Sequence, residues 1–206
     1  MSDDPFRITT VSALRERMGD PGAMVPLKVW PELEGPAQEY IQTSPFLLLA
    51  TSDGEGNVDV SPKGDGPGFV AVEDTRTLLI PDRRGNKLLF GLQNILQNPH
   101  VGIIFLKPGT EETLRVNGQA ELTADPAILD RLSARGQAAN LAIRVHIDEC
   151  FFHCAKAFKR ARLWEPESWP EAAHISWGAL MAPKLGGGEE MERRIDAAIE
   201  EDARHL

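Results

Sequence analysis

Short apolar stretches, some continuous and some alternating with polar positions, recur through the middle of this chain, and turn residues separate them. Residues 46–51 (Phe-Leu-Leu-Leu-Ala-Thr) form a continuous apolar run, and 58–61 (Val-Asp-Val-Ser) alternate. The Asp53-Gly-Glu-Gly-Asn57 segment between them is turn chemistry, so the two predict a hairpin. Residues 69–72 and 77–80 predict a second strand pair across Glu73-Asp-Thr-Arg76, and 64–68 hold too many glycines for a regular element. Longer strands are expected at 101–106 and 113–122, joined by Lys107-Pro-Gly-Thr110. Residues 142–147 alternate as a further strand, with 149–153 continuing near it. Helical patterns fall at 8–19 (capped by Thr10 or Ser12, ended by Gly19), 36–43, 86–97 and 127–135, the last opened by Asp125-Pro126. Six or seven short strands with few helices favour antiparallel pairing, hence a mainly β fold with a small barrel rather than a doubly wound sheet.

The C-terminal stretch reads differently. Lys184-Leu-Gly-Gly-Gly-Glu189 is a flexible link, and 190–206 form an amphipathic helix with Met191, Ile195 and Ile199 on one stripe. That helix is expected to pack on the barrel or on a partner subunit. The domain reading is therefore 1–183 for the barrel with its N-terminal helices, and 184–206 for the link and helix.

Composition narrows the partners. The chain holds 22 Lys+Arg against 31 Asp+Glu, a net charge of −9, which argues against nucleic-acid or anionic-membrane binding. Residues 189–206 contribute seven acids and three bases to that balance, so the rest is only mildly acidic. The sequence has no apolar run near the roughly 18 to 20 residues of a membrane span, and Met1-Ser-Asp-Asp-Pro5 lacks the pattern of a secretory signal. Cytoplasm is the expected location. Cys150, His153 and Cys154 offer three ligands at most, where structural zinc takes four, so no metal site is expected. Free thiols in a reducing compartment are the better reading.

Against this acidic background one basic cluster stands out. Asp82-Arg-Arg-Gly-Asn-Lys87 lies where the 77–80 strand gives way to the expected helix, so cations and free backbone N–H groups converge. Its first reading is a phosphate socket; a solvated charged turn, or an Arg paired with Asp82, would give the same sequence. It matches neither a P-loop nor a Gly-x-Gly-x-x-Gly turn. Val60-Ser-Pro-Lys-Gly-Asp65 ends a strand in a glycine turn that could lie against a planar ligand, with Lys63 near an anionic group, or could be a plain β-turn. Arg115 sits mid-strand beside Asn117 and Gly118, facing either solvent or a ligand. The run 153–164 places four cations before Trp164, as a basic rim or as a second anion-contacting wall. Ser52 and Ser61 have no adjacent His, and no local nucleophile–base arrangement is present, so the catalytic residues are unknown. Chemistry, if any, would come from a bound cofactor.

Taken in order, these segments resemble a known family. Phe46-Leu-Leu-Leu-Ala-Thr51, Asp59-Val-Ser-Pro-Lys-Gly-Asp65, Thr77-Leu-Leu-Ile-Pro-Asp-Arg83, Gly85-Asn86, Asn94-Ile-Leu96, Asn98-Pro99 and Leu114-Arg-Val-Asn-Gly118 are similar to the pyridoxamine 5′-phosphate oxidase-like, FMN-binding split-barrel family. Phe152-His-Cys-Ala-Lys-Ala157 and Arg162-Leu-Trp164 resemble one subgroup of FMN-dependent enzymes within it, and the likeness covers about residues 8–170. The resemblance implies a six-stranded antiparallel Greek-key split barrel, a homodimer with FMN at the subunit interface. It implies that Val60, Ser61, Pro62 and Lys63, with Ile80, Pro81 and Asp82, line the isoalloxazine. Arg83, Asn86 and Lys87 would hold the phosphate, and Arg115, Lys156 and Trp164 would contribute across the dimer. The implied activity is hydride transfer between a substrate or reduced nicotinamide and the flavin. A flavin-binding protein without turnover, or the same barrel holding deazaflavin F420 or haem, are the alternatives. Two positions depart from the family pattern. Arg84 stands where relatives often have Pro, and the chain ends in Gly-Gly-Gly and an acidic helix. The vitamin B6 oxidases instead close with Trp-Gly-Gly and Arg-Leu-His segments, so the resemblance is to the scaffold rather than to the vitamin reaction.

Overall fold

The computed structural model describes residues 4–204. They fall into two compact units, one running to Ala157 and one from Phe158 onward. The first is built on a single antiparallel sheet of seven strands: β1 (Phe46–Ser52), β2 (Val58–Gly64), β3 (Ala71–Asp74), β4 (Thr77–Asp82), β5 (His100–Leu106), β6 (Thr113–Thr123) and β7 (Leu141–His153). Their spatial order is β2-β1-β5-β6-β7-β4-β3. This corrects the six-stranded expectation in count and in closure: β2 and β3 remain as edges, and the sheet is not closed. The extra strand is β3, four residues laid against β4 with a register shift between Val72 and Asp74. Residues 142–147 and 149–153, read as neighbouring segments, belong to one thirteen-residue strand, β7.

The core follows from the alternation. Leu47 and Leu49, Ile103 and Phe105, Leu114 and Val116, Leu78 and Ile80, and Ile143 and Val145 all point to one face and are fully buried. Ala37 and Ile41 of helix α2 (Gly35–Thr43) join them. Each such Leu, Ile or Phe contributes roughly 1.5–3 kcal/mol on burial, and Phe105→Ala would cost about 3–5 kcal/mol through the cavity it leaves. Strand β4 does not alternate because it is covered twice. Leu78 and Ile80 face the main core, while Leu79 packs with Ile128, Leu132, Ala139 and Ala142 beneath helix α4 (Pro126–Arg131). Asp125 caps α4 by accepting the Ala127 N–H at 2.9 Å.

Helix α1 (Val11–Met18) starts and stops where its sequence says. Thr10 Oγ1 accepts the Ala13 N–H at 3.2 Å, and Gly19 ends it at φ +77°. Helix α3 (Phe90–Gln97) begins four residues later than its pattern suggests. Asn86 Oδ1 accepts the Leu88 N–H, an Asx turn that competes with the helix, and Lys87 and Leu89 stand at φ +62° and +58°. The strand therefore meets a loop before it meets the helix.

In the second unit, which begins within α5 (Lys156–Ala161), Phe158 and Trp164 stack at 5.8 Å between ring centroids. Helix α6 (Trp177–Met181) packs on α7 (Glu189–Ala203) with Gly178 directly against the Glu192 backbone, an approach that only glycine allows. Asp196 of α7 accepts the Ser176 hydroxyl at 2.6 Å and the Gly178 N–H at 2.7 Å, and these bonds hold its carboxyl below the usual range. The last two residues of the expected C-terminal helix, 205–206, lie outside the described residues. Among the described residues, no helix is long and apolar enough to cross a membrane.

Candidate functional site

The open side of the sheet lies between the ends of β2 and β4, which share no ladder and are joined instead by charge. Lys63 Nζ donates to Asp82 Oδ1 at 3.0 Å, and both side chains are mostly buried. Just beyond the strands, Arg83 Nε donates to Asp65 Oδ2 at 3.0 Å, and Arg135 Nη1 donates to Asp65 Oδ1 at 2.8 Å. Asp65 is only 4% exposed, so one buried carboxylate holds two arginines. Burial pushes its carboxyl up, but the Gly66 N–H and the two arginines outweigh burial and hold it below the usual range.

The loop carrying Asp65 is fixed to the body of the sheet. The Asp65 N–H donates to the Pro45 carbonyl at 3.1 Å, and the Gly68 N–H donates to the Ser44 carbonyl at 3.2 Å. At Gly68, φ is +81° and a Cβ would meet the Gln42 carbonyl, so only glycine lets this turn lie so close. A pocket of about 290 Å³ opens beside it, with Asp65, Phe69, Arg83, Arg131, Leu132 and Ala134 among its lining. Arg131 reaches Glu73 at 3.5 Å from the same rim.

Past Arg83 the chain exposes Gly85, Asn86 and Lys87 before α3 begins at Phe90. Among the described residues no side chain caps the first turn of α3, which leaves its leading N–H groups to other acceptors. The helix is pinned to β1 by Asn94 Nδ2 on Thr51 Oγ1 at 3.1 Å and Asn98 Nδ2 on Ser52 Oγ at 2.7 Å. Gly91 stands over Thr51, Asp59 and Ser61, with room for a methyl group at 3.6–3.7 Å from each. An anion thus has a half-buried guanidinium with both Nη groups beyond its Asp65 contact, an exposed lysine and an uncapped helix start within one short segment.

The expected site residues distribute as follows. Lys63, Asp82 and Arg83 come together, and Asn86 and Lys87 follow on the same loop. Ser61 shares the inner face of β2 with Lys63, whereas Val60 and Pro62 are exposed on the outer one. Ile80 is fully buried and Pro81 is buried, so they present backbone rather than side chain. Arg115 lies elsewhere. Register places Pro62, Leu48, Ile104, Arg115 and Phe151 in one row across five strands, on the face opposite Lys63. There the Arg115 guanidinium sits 5.1 Å from the Phe151 ring centroid, and Lys28 Nζ sits 6.0 Å from it. Arg115 Nε is buried without a hydrogen-bond partner among the described residues. Lys156 is exposed at the start of α5, and Trp164 belongs to the second unit.

Two members of the cluster were missed in the sequence, Arg135 and the double role of Asp65. Arg135 stands at φ +50° before Gly136 at φ +75°, so Arg-Gly-Gln was a readable turn signal, but its spatial partner seventy residues away was not. The cysteines take no part. Cys150 Sγ is buried against the Glu32 carbonyl at 3.2 Å, and Cys154, past the end of β7, is exposed. Among the described residues, no cluster of three or more His, Cys, Asp or Glu is placed to hold a metal.

The family model for pyridoxamine 5′-phosphate oxidase matches residues 33–154. No curated protein matches the chain. Among solved structures, HupZ of Group A Streptococcus is similar over 60% of this chain and 95% of its own, at 17% identity and a TM-score of 0.49. An FMN-binding protein of Syntrophomonas wolfei is similar over 56% and 82%, at 15% identity and a TM-score of 0.42. HutZ, the heme storage protein of Vibrio cholerae, is similar over 59% and 94%, at 19% identity and a TM-score of 0.41.

Proposed function

Because the chain belongs to the pyridoxamine 5′-phosphate oxidase family, we propose that it is an FMN-dependent oxidoreductase whose cofactor phosphate is held by the loop after β4. The observation that supports this reading best is the run of donors along that loop: Arg83 half-buried at the strand end, then exposed Asn86 and Lys87, then the start of α3 with no side-chain cap. These donors suit a dianionic phosphate, which charge-assisted hydrogen bonds and a helix N-terminus both favour.

The flavin, when bound, supplies hydride-transfer chemistry; the chain supplies position and field. Ile80 and Pro81 bury their side chains on opposite faces of β4, so what they offer a ring is the backbone at the strand edge. Ser61 and Lys63 give the facing edge of β2 its polar groups. Lys63 enters the site paired with Asp82, so its field at a nearby ring is that of a dipole, weaker and shorter in range than a lone ammonium. Arg115 stands on a sheet face with Pro62, Leu48, Ile104 and Phe151, and the homodimer belongs to this reading, with that face covered by the second copy and the Arg115 amino groups free to meet it.

The test is direct. The purified full chain should show flavin absorbance or acquire it from added FMN, then oxidise NADH or NADPH with an acceptor present. A colourless chain that ignores FMN would sink the proposal. A Soret band or selective binding of deazaflavin would replace it with the haem or F420 reading, and flavin binding without turnover would leave a carrier. Sedimentation should give twice the 22.7 kDa chain mass.

A further inference from the structure

The carboxylate of Asp65 belongs to no strand and to neither of the two elements that the arginines come from, yet it is the most buried charge in the cluster. Its two oxygens are divided: Oδ2 takes Arg83 Nε at 3.0 Å, while Oδ1 takes Arg135 Nη1 at 2.8 Å and the Gly66 N–H at 2.8 Å. The loop beneath it is anchored to the end of α2 and the start of β1, so the carboxylate has little freedom to follow either arginine. Using Nε for this contact fixes the plane of the Arg83 guanidinium and keeps its two amino groups, the ends suited to fork a phosphate, out of the pair.

We infer that Asp65 is a positioning residue that sets the preference of the site for a phosphorylated over an unphosphorylated flavin, by holding Arg83 in the orientation that grips the phosphate. The inference rests on the FMN reading above. The opposing effect is charge: a carboxylate next to a phosphate site repels the phosphate, so a purely neutralising Asp65 would weaken FMN binding. Geometry decides between the two. A nearly buried carboxylate shared by two guanidiniums is already compensated, so its removal frees two long cations to repel each other and loses their order.

Paired titrations of the full chain with FMN and with riboflavin test this, because the ratio of their dissociation constants isolates the phosphate. Wild type should prefer FMN. Asp65→Asn should reduce that preference by about tenfold, the order of one loosened charge-assisted pair, with riboflavin affinity unchanged. Asp65→Glu keeps the charge but moves the carboxylate by one methylene, and should also reduce the preference. It carries the test if Asp65→Asn does not fold. An unchanged or increased preference in either folded variant overturns the positioning role. A wild-type chain that binds both flavins equally also overturns it, while leaving the flavin reading standing. A wild-type chain that binds neither overturns the cofactor reading and this inference with it.

Discussion

Replacing Arg83 by alanine separates the two tasks its surroundings set it. In folding terms the loss is moderate: Asp65 Oδ1 keeps Arg135 Nη1 at 2.8 Å and the Gly66 N–H at 2.8 Å, whereas Oδ2 loses Arg83 Nε. Arg83 itself is 24% exposed, so water entering the space it leaves can reach Oδ2, and the cost should stay near the lower end of that for an unsatisfied buried acceptor, about 1–2 kcal/mol. In binding terms the loss is larger. The side chain contributes the only half-buried guanidinium at the proposed phosphate end among the described residues, and removing charge-assisted hydrogen bonds to a phosphate costs about 1.5–3 kcal/mol. That is roughly ten- to over a hundredfold in the FMN dissociation constant. Flavin fluorescence titration and thermal melting on the same preparation read the two effects apart. Unchanged FMN affinity would assign Arg83 to a plain ion pair with Asp65. An equal loss for riboflavin would show that the loop, rather than the phosphate contact, had been disturbed.

Gly118→Ala should destabilise the fold by about 1–3 kcal/mol or more, because its methyl would meet the His146 carbonyl oxygen and lie 3.2 Å from Ile147 Cα, all backbone of β7. Urea denaturation would show the loss, and an unchanged midpoint would mean that the β6–β7 bulge can open freely. Burial above all, with Glu34 and Glu149 adding, pushes the Cys150 thiol up to about 11. Iodoacetamide at mildly alkaline pH should therefore label exposed Cys154 and spare Cys150 in the folded chain; equal labelling by mass spectrometry would contradict this. Asp65 has its carboxyl held below the 3.8 usual for an aspartate, so its ion pairs stabilise fully above that pH and are lost as pH falls through the lower folded value. Thermal stability should then drop more steeply below pH 3.8 in wild type than in Asp65→Asn, and parallel curves would count against the pair.

Strands were the most legible part of this chain because their evidence is local. Residues 46–51 and 101–106 announce strands as short apolar runs, and the turn residues between strands mark the hairpin ends, although such runs do not say that Leu47, Leu49, Ile103 and Phe105 take the inner face. The continuous run in β4 was readable as a strand, but not the reason for it, which is a second apolar layer under α4 contributed by Ile128 and Leu132. The start of α3 was misread because amphipathic spacing at 88–96 says nothing about Asn86 closing a turn on Leu88. The site divided in the same way. Lys63, Asp82 and Arg83 announced themselves as charges at strand ends, whereas Arg135 reaches Asp65 across seventy residues of chain and Arg115 turns to the opposite face through register. Periodicity records which face a residue takes, but long-range pairing decides what it finds there.

The gap between β2 and β4 has a chemical safeguard against zipping shut. An exposed strand edge invites hydrogen bonding from any other edge, including that of the same sheet. Here each bordering strand spends one of its last positions on an imino acid: Pro62 next to Lys63 in β2, and Pro81 next to Asp82 in β4, past the point where β3 stops pairing at Leu79. Neither can donate to a ladder. Each proline removes one donor where the edges face the gap, so side-chain charge joins them more readily than main chain does, and a ligand can compete with that attachment. Restoring the missing donors, as in Pro62→Val with Pro81→Val, would give the edges the means to pair and so to seal a binding cleft with backbone.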